Sequence, residues 1–107
     1  MMLLTKAIRA KLTANGELRA SENGAYPVCK LFTPDAQCTW SIAEADADDP
    51  DRLFGLCDLG HGFPELGYVS LAELTALRGP MGLKVERDLY FRPAKSLTAY
   101  ADDARFT

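Results

Sequence analysis

Residues 65–93 read ELGYVSLAELTALRGPMGLKVERDLYFRP and hold the clearest helix signal and the densest turn chemistry of the chain. Ser70 is a favourable N-cap residue, and Glu73 follows it at the spacing of a capping box. The apolar residues that come next have helical spacing: Leu71, Leu74 and Leu77. Arg78-Gly79-Pro80 then combines a cation, a residue tolerant of left-handed backbone and a helix breaker. The stretch therefore predicts a short helix that begins at Ser70 and ends before Pro80.

The second half of this stretch alternates between apolar and polar residues, which predicts a strand over residues 85–92. It carries the charged triplet Glu86-Arg87-Asp88. Alternation places Arg87 on the apolar face, where an unpaired charge is costly, so we expect a carboxylate partner, either Glu65 or Glu73. The first interpretation is a structural ion pair between strand and helix. The alternative is a carboxylate pair that works as acid and base, which requires one raised pKa.

The length of the chain and its pattern of apolar residues predict one small domain over residues 1–107. A helix is expected over residues 5–14, ended by Asn15-Gly16, and strands over 26–33, 37–44, 52–59 and 65–69. Beyond residue 93 the chain forms either a short helix after Ser96 or a tail. This order predicts an α+β fold, a small antiparallel sheet of about four to five strands with two helices on one face. The expected core residues are Phe32, Trp40, Phe54, Tyr68, Leu74 and Leu89.

The composition of the chain argues against two classes of protein, those that bind nucleic acid directly and those that span a membrane. The 107 residues are 48% hydrophobic and 25% charged, with a net charge of −3, which is typical of a globular protein. No basic stripe is present, so we expect no direct nucleic-acid binding. No apolar run approaches the ~20 residues of a membrane span, and Met1-Met2-Leu3-Leu4 is too short for a signal peptide. We therefore expect a cytoplasmic protein with no membrane contact.

The cysteines and the histidine offer two weak chemical patterns. Cys29, Cys38 and Cys57 are odd in number, so we expect reduced thiols rather than a disulfide framework. Cys57 and His61 could meet across a turn as a nucleophile pair, but no residue is clearly placed to orient the histidine ring. A zinc site from these four residues lacks the usual short paired spacing. We expect no catalytic residue, no metal and no cofactor.

Residues 46–51 form an acidic loop with four aspartates, Asp46, Asp48, Asp49 and Asp51. The loop resembles the start of a calcium-binding loop, but Pro50 stands at the third ligand position and Asp51 replaces the required glycine. One interpretation is a solvated loop. The other is an acidic patch that docks on a basic partner surface.

Several motifs resemble a known family. They are LLTKAIRAKL at residues 3–12, KLFTP at 30–34 and CTW at 38–40, followed by E-L-G-Y, S-L-x-E-L, R-G-P-x-G-L and E-R-D-L-Y within residues 65–90. Together they resemble the bacterial domain-of-unknown-function family numbered 2958, over about residues 3–93. The acidic loop and the segment after Pro93 depart from that pattern. The resemblance implies a small cytosolic domain, often carried on plasmids and other mobile elements, with no established activity or catalytic residues. It also implies a context near anti-restriction and plasmid-maintenance genes.

The resulting hypothesis is a non-enzymatic module that binds another protein and inhibits a host nucleic-acid-processing defence complex, in an anti-restriction or anti-CRISPR-like role. The expected binding residues are Asp46, Asp48, Asp49, Asp51, Glu65, Glu86, Arg87 and Asp88. The alternative is a small enzyme of unknown reaction that uses a carboxylate and arginine cluster: Glu65, Glu73, Glu86, Arg87 and Asp88.

Overall fold

The computed structural model describes residues 2–19, 24–60 and 62–105, and this part of the chain contains three helices and five strands. In chain order they are α1 (Lys6–Glu17), β1 (Cys29–Phe32), β2 (Thr39–Ala45), β3 (Arg52–Asp58), β4 (Glu65–Ser70), α2 (Leu71–Ala76), β5 (Glu86–Arg87) and α3 (Leu97–Arg105). The strands form one antiparallel sheet in the order β4-β3-β2-β1-β5. The predicted α+β fold is confirmed.

The first four strands form a meander in which each strand pairs with the next along the chain. Leu31 pairs with Trp40, Trp40 with Cys57, and Cys57 with Glu65. The register of β2 against β3 shifts between Ile42 and Glu44, as a β-bulge does. β5 then returns to the free edge of β1, where Arg87 pairs with Leu31.

The sheet is packed on both faces. On one face, Cys29, Leu31, Trp40, Ile42 and Leu53 form the main core with residues of α1 and α2. On the other face, Ala43 and Leu56 pack against Leu97 and Ala101 of α3. Side chains that alternate along a strand point to opposite faces, so Leu53 and Leu56 belong to different cores. The expectation that helices cover one face is therefore wrong, because α3 lies on the second face.

α1 begins where the sequence predicts and ends later. Thr5 is the N-cap, and its Oγ1 accepts a hydrogen bond of 3.1 Å from the Ile8 amide. Asn15 and Gly16 do not end the helix, because tertiary contacts hold both inside it. Asn15 Nδ2 donates to the Ala43 carbonyl at 2.9 Å, and a Cβ on Gly16 would lie 1.7 Å from the Ala45 carbonyl oxygen. Gly16 thus permits a close approach of α1 to β2.

α2 confirms the predicted helix start at Ser70. The Glu73 amide donates to Ser70 Oγ at 3.2 Å. Asp51 adds a second cap that the sequence does not reveal: Ser70 Oγ donates to Asp51 Oδ2 at 2.6 Å, and the Ala72 amide donates to Asp51 Oδ1 at 2.8 Å. The loop before β3 therefore fixes the first turn of α2. The helix ends at Ala76, well before Pro80.

The predicted strand over residues 85–92 is mostly wrong, since β5 contains only Glu86 and Arg87. The backbone turns immediately afterwards, because Asp88 Oδ1 accepts a hydrogen bond of 2.9 Å from the Tyr90 amide. Leu89 is consequently 63% exposed rather than buried. Tyr68 is also exposed, on the uncovered edge strand, where its ring makes an edge-to-face contact with the ring of Phe54. Of the other expected core residues, Trp40 and Leu74 are buried and Phe32 and Phe54 are half-buried.

α3 settles the choice between a helix and a tail after Ser96 in favour of the helix. The Leu97 amide donates to the Ala25 carbonyl at 2.9 Å, which anchors the start of α3 beside the segment that leads into β1. Within residues 2–19, 24–60 and 62–105, no helix has both the length and the apolar character needed to cross a membrane.

Candidate functional site

A cleft of about 520 Å³ opens where α3 leaves the second face of the sheet uncovered. We call it the β1–β5 cleft. Its lining residues are Lys30, Phe32, Thr33, Ala36, Gln37, Cys38, Thr39, Glu86, Arg87, Asp88, Leu89 and Tyr90. Phe32 lies on β1 directly opposite Glu86 of β5, so the aromatic ring and the carboxylate share one face of the sheet. The volume falls within the range of ligand-binding pockets in proteins.

Hydrogen bonds fix both walls of this cleft. On the side of the β1–β2 turn, Thr33 Oγ1 accepts from the Cys38 amide at 3.1 Å, and the Thr33 amide donates to the Cys38 carbonyl at 3.0 Å. On the β5 side, the Asp88 amide donates to the Lys30 carbonyl at 2.9 Å. The Asp88 turn then projects Tyr90 outward, where its side chain is 89% exposed. A large aromatic side chain thus lies at the rim of a cleft whose two walls are held in place by hydrogen bonds.

Arg87 does not form the predicted ion pair. Its Nη1 donates to the main-chain carbonyl of Leu3 at 2.6 Å and to that of Met2 at 3.4 Å. Neither Glu65 nor Glu73 forms an ion pair with it. The reason is topological: β5 pairs with β1, which brings Arg87 beside the segment before α1. The predicted carboxylate partner is therefore wrong, and Arg87 holds the N-terminal segment to the sheet edge.

The predicted carboxylate cluster is divided by the sheet order. Glu86 and Asp88 line the β1–β5 cleft, whereas Glu65 begins β4 at the opposite edge. Four strand spacings of about 4.8 Å separate those edges, which is about 19 Å. The structure brings together Glu86, Arg87 and Asp88, and Glu65 lies too far away to share their chemistry.

Aspartates of the acidic loop accept hydrogen bonds within the loop and from the first turn of α2. Asp46 Oδ1 accepts from the Asp48 amide at 2.8 Å, and Asp49 Oδ1 accepts from the Asp51 amide at 3.1 Å. The hydrogen bonds from Ser70 and from the Ala72 amide lower the pKa of Asp51. Asp46 also lies 3.8 Å from the guanidinium of Arg52. The loop is thus a folded connection, and its binding role stays a prediction.

The three cysteines are free thiols in different surroundings. Burial raises the pKa of the Cys29 thiol to about 12, and the nearby charge of Arg87 opposes this only in part. Burial, with a smaller effect from the Glu65 charge, also raises the pKa of Cys57. A thiol with a raised pKa is a poor nucleophile at neutral pH. His61, and with it the proposed Cys57–His61 pair and the four-residue zinc set, lies outside the described residues. Among the residues that are described, no group of three or more histidines, cysteines or carboxylates has the geometry of a metal site.

Asp35 is a residue whose importance the sequence does not signal. Its Oδ2 accepts from the Met81 amide at 2.7 Å and, more weakly, from the Leu83 amide at 3.4 Å. Its Oδ1 is buried without a hydrogen-bond partner, against Gly79. A Cβ on Gly79 would lie 1.7 Å from that oxygen. The β1–β2 turn is therefore clamped onto the turn of the R-G-P-x-G-L motif.

The sequence also does not predict that aromatic and basic residues line the β1–β5 cleft together. Lys30 and Phe32 belong to KLFTP and Tyr90 belongs to E-R-D-L-Y, but these motifs are more than fifty residues apart. Only the pairing of β1 with β5 brings them together. The signal that was available is the short E-R-D-L-Y motif, which contains Tyr90 and the four cleft residues before it.

The sequence matches a known protein family. The family described as "Protein of unknown function (DUF2958)" matches residues 3–107. The chain belongs to the DUF2958 family. The match extends past residue 93, where the resemblance drawn from motifs stopped, so α3 and the acidic loop are part of the DUF2958 domain. The comparison with curated proteins and the comparison with solved structures each found no match.

Proposed function

We propose that this DUF2958 protein is a non-enzymatic module that binds another protein through the β1–β5 cleft. The observation that carries the proposal is that one preformed cleft has two aromatic side chains, an exposed Tyr90 at its rim and Phe32 on its floor. Aromatic side chains that are exposed in the free protein are frequent anchors of protein interfaces. The hydrogen bonds of Thr33 and Asp88 hold both walls in place, so little ordering is needed on binding.

The charges around the cleft define the partner segment. Glu86 and Asp88 lie on the same wall as Tyr90, and Lys30 is the neighbouring cation on β1. A segment with a large apolar side chain can place it against Phe32 and Tyr90. A lysine or arginine next to that side chain can then face Glu86. We therefore propose a short partner segment that carries an apolar residue flanked by a basic one.

A displayed library of random peptides tests this directly. The selected peptides should share an apolar residue beside a lysine or arginine, and Tyr90→Ala should weaken their binding by about tenfold or more, as loss of an interface anchor does. Phe63→Ala is the matched control, because Phe63 is an exposed aromatic residue in the loop before β4, at the far edge of the sheet. Fluorescence anisotropy of a labelled peptide gives both affinities. Peptides that bind wild-type protein and Tyr90→Ala equally would contradict the proposal.

The acidic loop supplies the competing binding surface, and the same peptides decide between the two. Replacing Asp46, Asp48 and Asp49 together by asparagine leaves the helix cap at Asp51 in place. If the cleft is the site, this triple variant should keep the wild-type affinity. If it loses binding while Tyr90→Ala keeps it, the loop rather than the cleft is the site. The enzyme alternative receives no support from the geometry, because Glu65 lies at the opposite sheet edge from Glu86 and Asp88.

The class of partner that we propose is a host complex that processes foreign nucleic acid. What supports it is the resemblance of the motifs to a family carried on mobile elements. A cell that expresses the protein should then accept an unmodified plasmid more efficiently than a cell that expresses Tyr90→Ala at the same level. Equal transformation by the two strains, in hosts with an active restriction or CRISPR system, would contradict this partner class.

A further inference from the structure

A second concave surface lies on the other side of β5 and has a different character. This β5–α2 cleft has a volume of about 420 Å³. Its lining residues are Leu3, Thr75, Arg78, Lys84, Val85, Glu86 and Arg87. Three cations therefore line one cleft in a protein whose net charge is −3: Arg78 follows α2, and Lys84 and Arg87 belong to the segment that leads into and includes β5. Such a concentration of positive charge attracts anions.

Two of these three cations, Arg78 and Lys84, lie directly opposite each other. The two residues are direct partners in an isolated antiparallel bridge. Like charges directly opposite each other on neighbouring strands are destabilising. In the part of the chain that the structure describes, the ion pairs of 4.0 Å or less involve neither of these residues nor Arg87. An anion between the three cations would remove the repulsion.

The guanidinium groups are held in place by main-chain carbonyls. Arg78 Nη1 donates to the carbonyls of Thr75 and Leu77 at 3.0 and 2.9 Å. Arg87 Nη1 donates to the Leu3 carbonyl at 2.6 Å. A guanidinium has five N–H donors, so each arginine keeps donors on Nε and Nη2 for a ligand. Glu86 also lines the cleft, but strand alternation directs its side chain to the Phe32 face, opposite that of Arg87.

We propose that the β5–α2 cleft binds a small phosphorylated molecule, with its phosphate group held by Arg78, Lys84 and Arg87. A phosphate monoester carries a charge of about −1.5 to −2 at pH 7 and three acceptor oxygens, which matches three cationic donors better than a single carboxylate does. Arginine forks bind such groups through paired hydrogen bonds. The two clefts share Glu86 and Arg87 as lining residues. Phe32 and Tyr90 line only the β1–β5 cleft, and Arg78 and Lys84 line only the β5–α2 cleft, so either proposal can fail without the other.

The experiment is a nuclear magnetic resonance titration with inorganic phosphate and with adenosine 5′-monophosphate, at constant ionic strength maintained with chloride. The amides of residues 75–87 should shift in both titrations. Lys84→Gln should weaken phosphate binding by about tenfold, as loss of one charge-assisted hydrogen bond does. Lys84 is exposed, so this variant retains the fold. Lys84→Arg should preserve most of the affinity.

Lys30→Gln is the matched control, because it removes the same charge from the other cleft and should leave phosphate binding unchanged. The proposal is overturned if Lys84→Gln and Lys30→Gln bind phosphate equally, or if phosphate shifts the same amides as an equal increment of chloride. It is also overturned if neither phosphate nor the mononucleotide binds while a short DNA duplex does, since that result indicates a nucleic-acid surface instead.

Discussion

Single residues in this protein act through contacts made far along the chain, and Asp35 is the clearest case. Asp35 lies 46 residues before Met81, and its Oδ2 accepts a hydrogen bond of 2.7 Å from the Met81 amide. The same carboxylate occupies the space where a side chain on Gly79 would begin. Gly79 is needed here for close approach of the carboxylate, in addition to any role in the turn.

We expect Gly79→Ala to destabilise the protein by about 1–3 kcal/mol, because the new methyl group displaces the Asp35 carboxylate from the Met81 amide. Urea unfolding followed by the fluorescence of Trp40, the single tryptophan, measures the change. In an Asp35→Ala background the same glycine substitution should cost less, by about 1 kcal/mol. Equal costs in the two backgrounds would show that Asp35 and Gly79 do not interact.

The thiol of Cys29 gives a second prediction at this scale. Its side chain is 3% exposed, and its pKa is raised to about 12. At pH 8 about one part in ten thousand is thiolate, so alkylation of the folded protein should leave Cys29 unmodified while Cys38 reacts. Peptide mapping after iodoacetamide treatment, with a urea-denatured sample as the control, reports each cysteine. Rapid labelling of Cys29 under native conditions would contradict this burial.

At the scale of elements, α2 depends on a residue outside the helix. Asp51 accepts hydrogen bonds from Ser70 Oγ and from the Ala72 amide, and these lower the pKa of its carboxyl below the ordinary value of 3.8. A carboxyl group whose pKa is lower in the folded state than in the unfolded state releases its proton more readily when folded. Its contribution to stability is fully present above the unfolded pKa and is lost as the pH falls through the folded pKa.

We therefore expect part of the acid destabilisation below about pH 4 to come from Asp51. Asp51→Asn should be less stable than the wild type at pH 7, and the difference between them should shrink as the pH falls toward 2. Urea midpoints between pH 7 and pH 2 provide the test. Asp48→Asn is the matched control, because the Asp48 side chain is exposed. A difference between wild type and Asp51→Asn that stays constant over this pH range would exclude the cap as its cause.

The sequence predicts elements well where a local signal specifies them. Thr5 and Ser70 start their helices as predicted because an N-cap acts over three residues, and Trp40 is buried because its strand alternates cleanly. Asn15-Gly16 has the local signal of a helix end, yet the helix continues because both residues contact β2. β5 is short because the Asp88 turn ends the strand, although the alternation of residues continues to Arg92. In the first case contacts with β2 override the local signal for a helix end. In the second case a turn that Asp88 makes with the nearby Tyr90 amide overrides the alternating pattern of a strand.

For the whole molecule, the candidate site could be predicted only in part. The E-R-D-L-Y motif contains five of the twelve residues that line the β1–β5 cleft, and Glu86, Arg87 and Asp88 among them are named from the sequence. Their partners are not, because Phe32 and Lys30 join them only when β5 pairs with β1. The same pairing sends Arg87 to the Leu3 carbonyl rather than to a carboxylate. Long-range strand order therefore decides which charged residues meet.

Stability should be uneven across the molecule. β2 and β3 lie in the middle of the sheet and are covered on both faces, whereas β5 contributes two residues at an edge. Amide hydrogen exchange should be slowest in β2 and β3, and the Arg87 and Asp88 amides should exchange at least about tenfold faster. Exchange measured by nuclear magnetic resonance at pH 6 and 25 °C resolves the individual amides. Equal protection of β5 and β3 would mean that the sheet opens as one unit.

The hydrogen bond between Arg87 and the Leu3 carbonyl also has a consequence for biosynthesis. These residues are 84 positions apart. At a translation rate of about 5–20 residues per second, roughly 4–17 s pass between the synthesis of Leu3 and that of Arg87. The strands β1 to β4 precede Arg87 in the chain and therefore emerge from the ribosome before it. The segment around Leu3 therefore stays without its partner, exposed to the ribosome surface and its chaperones, until the segment that contains β5 emerges.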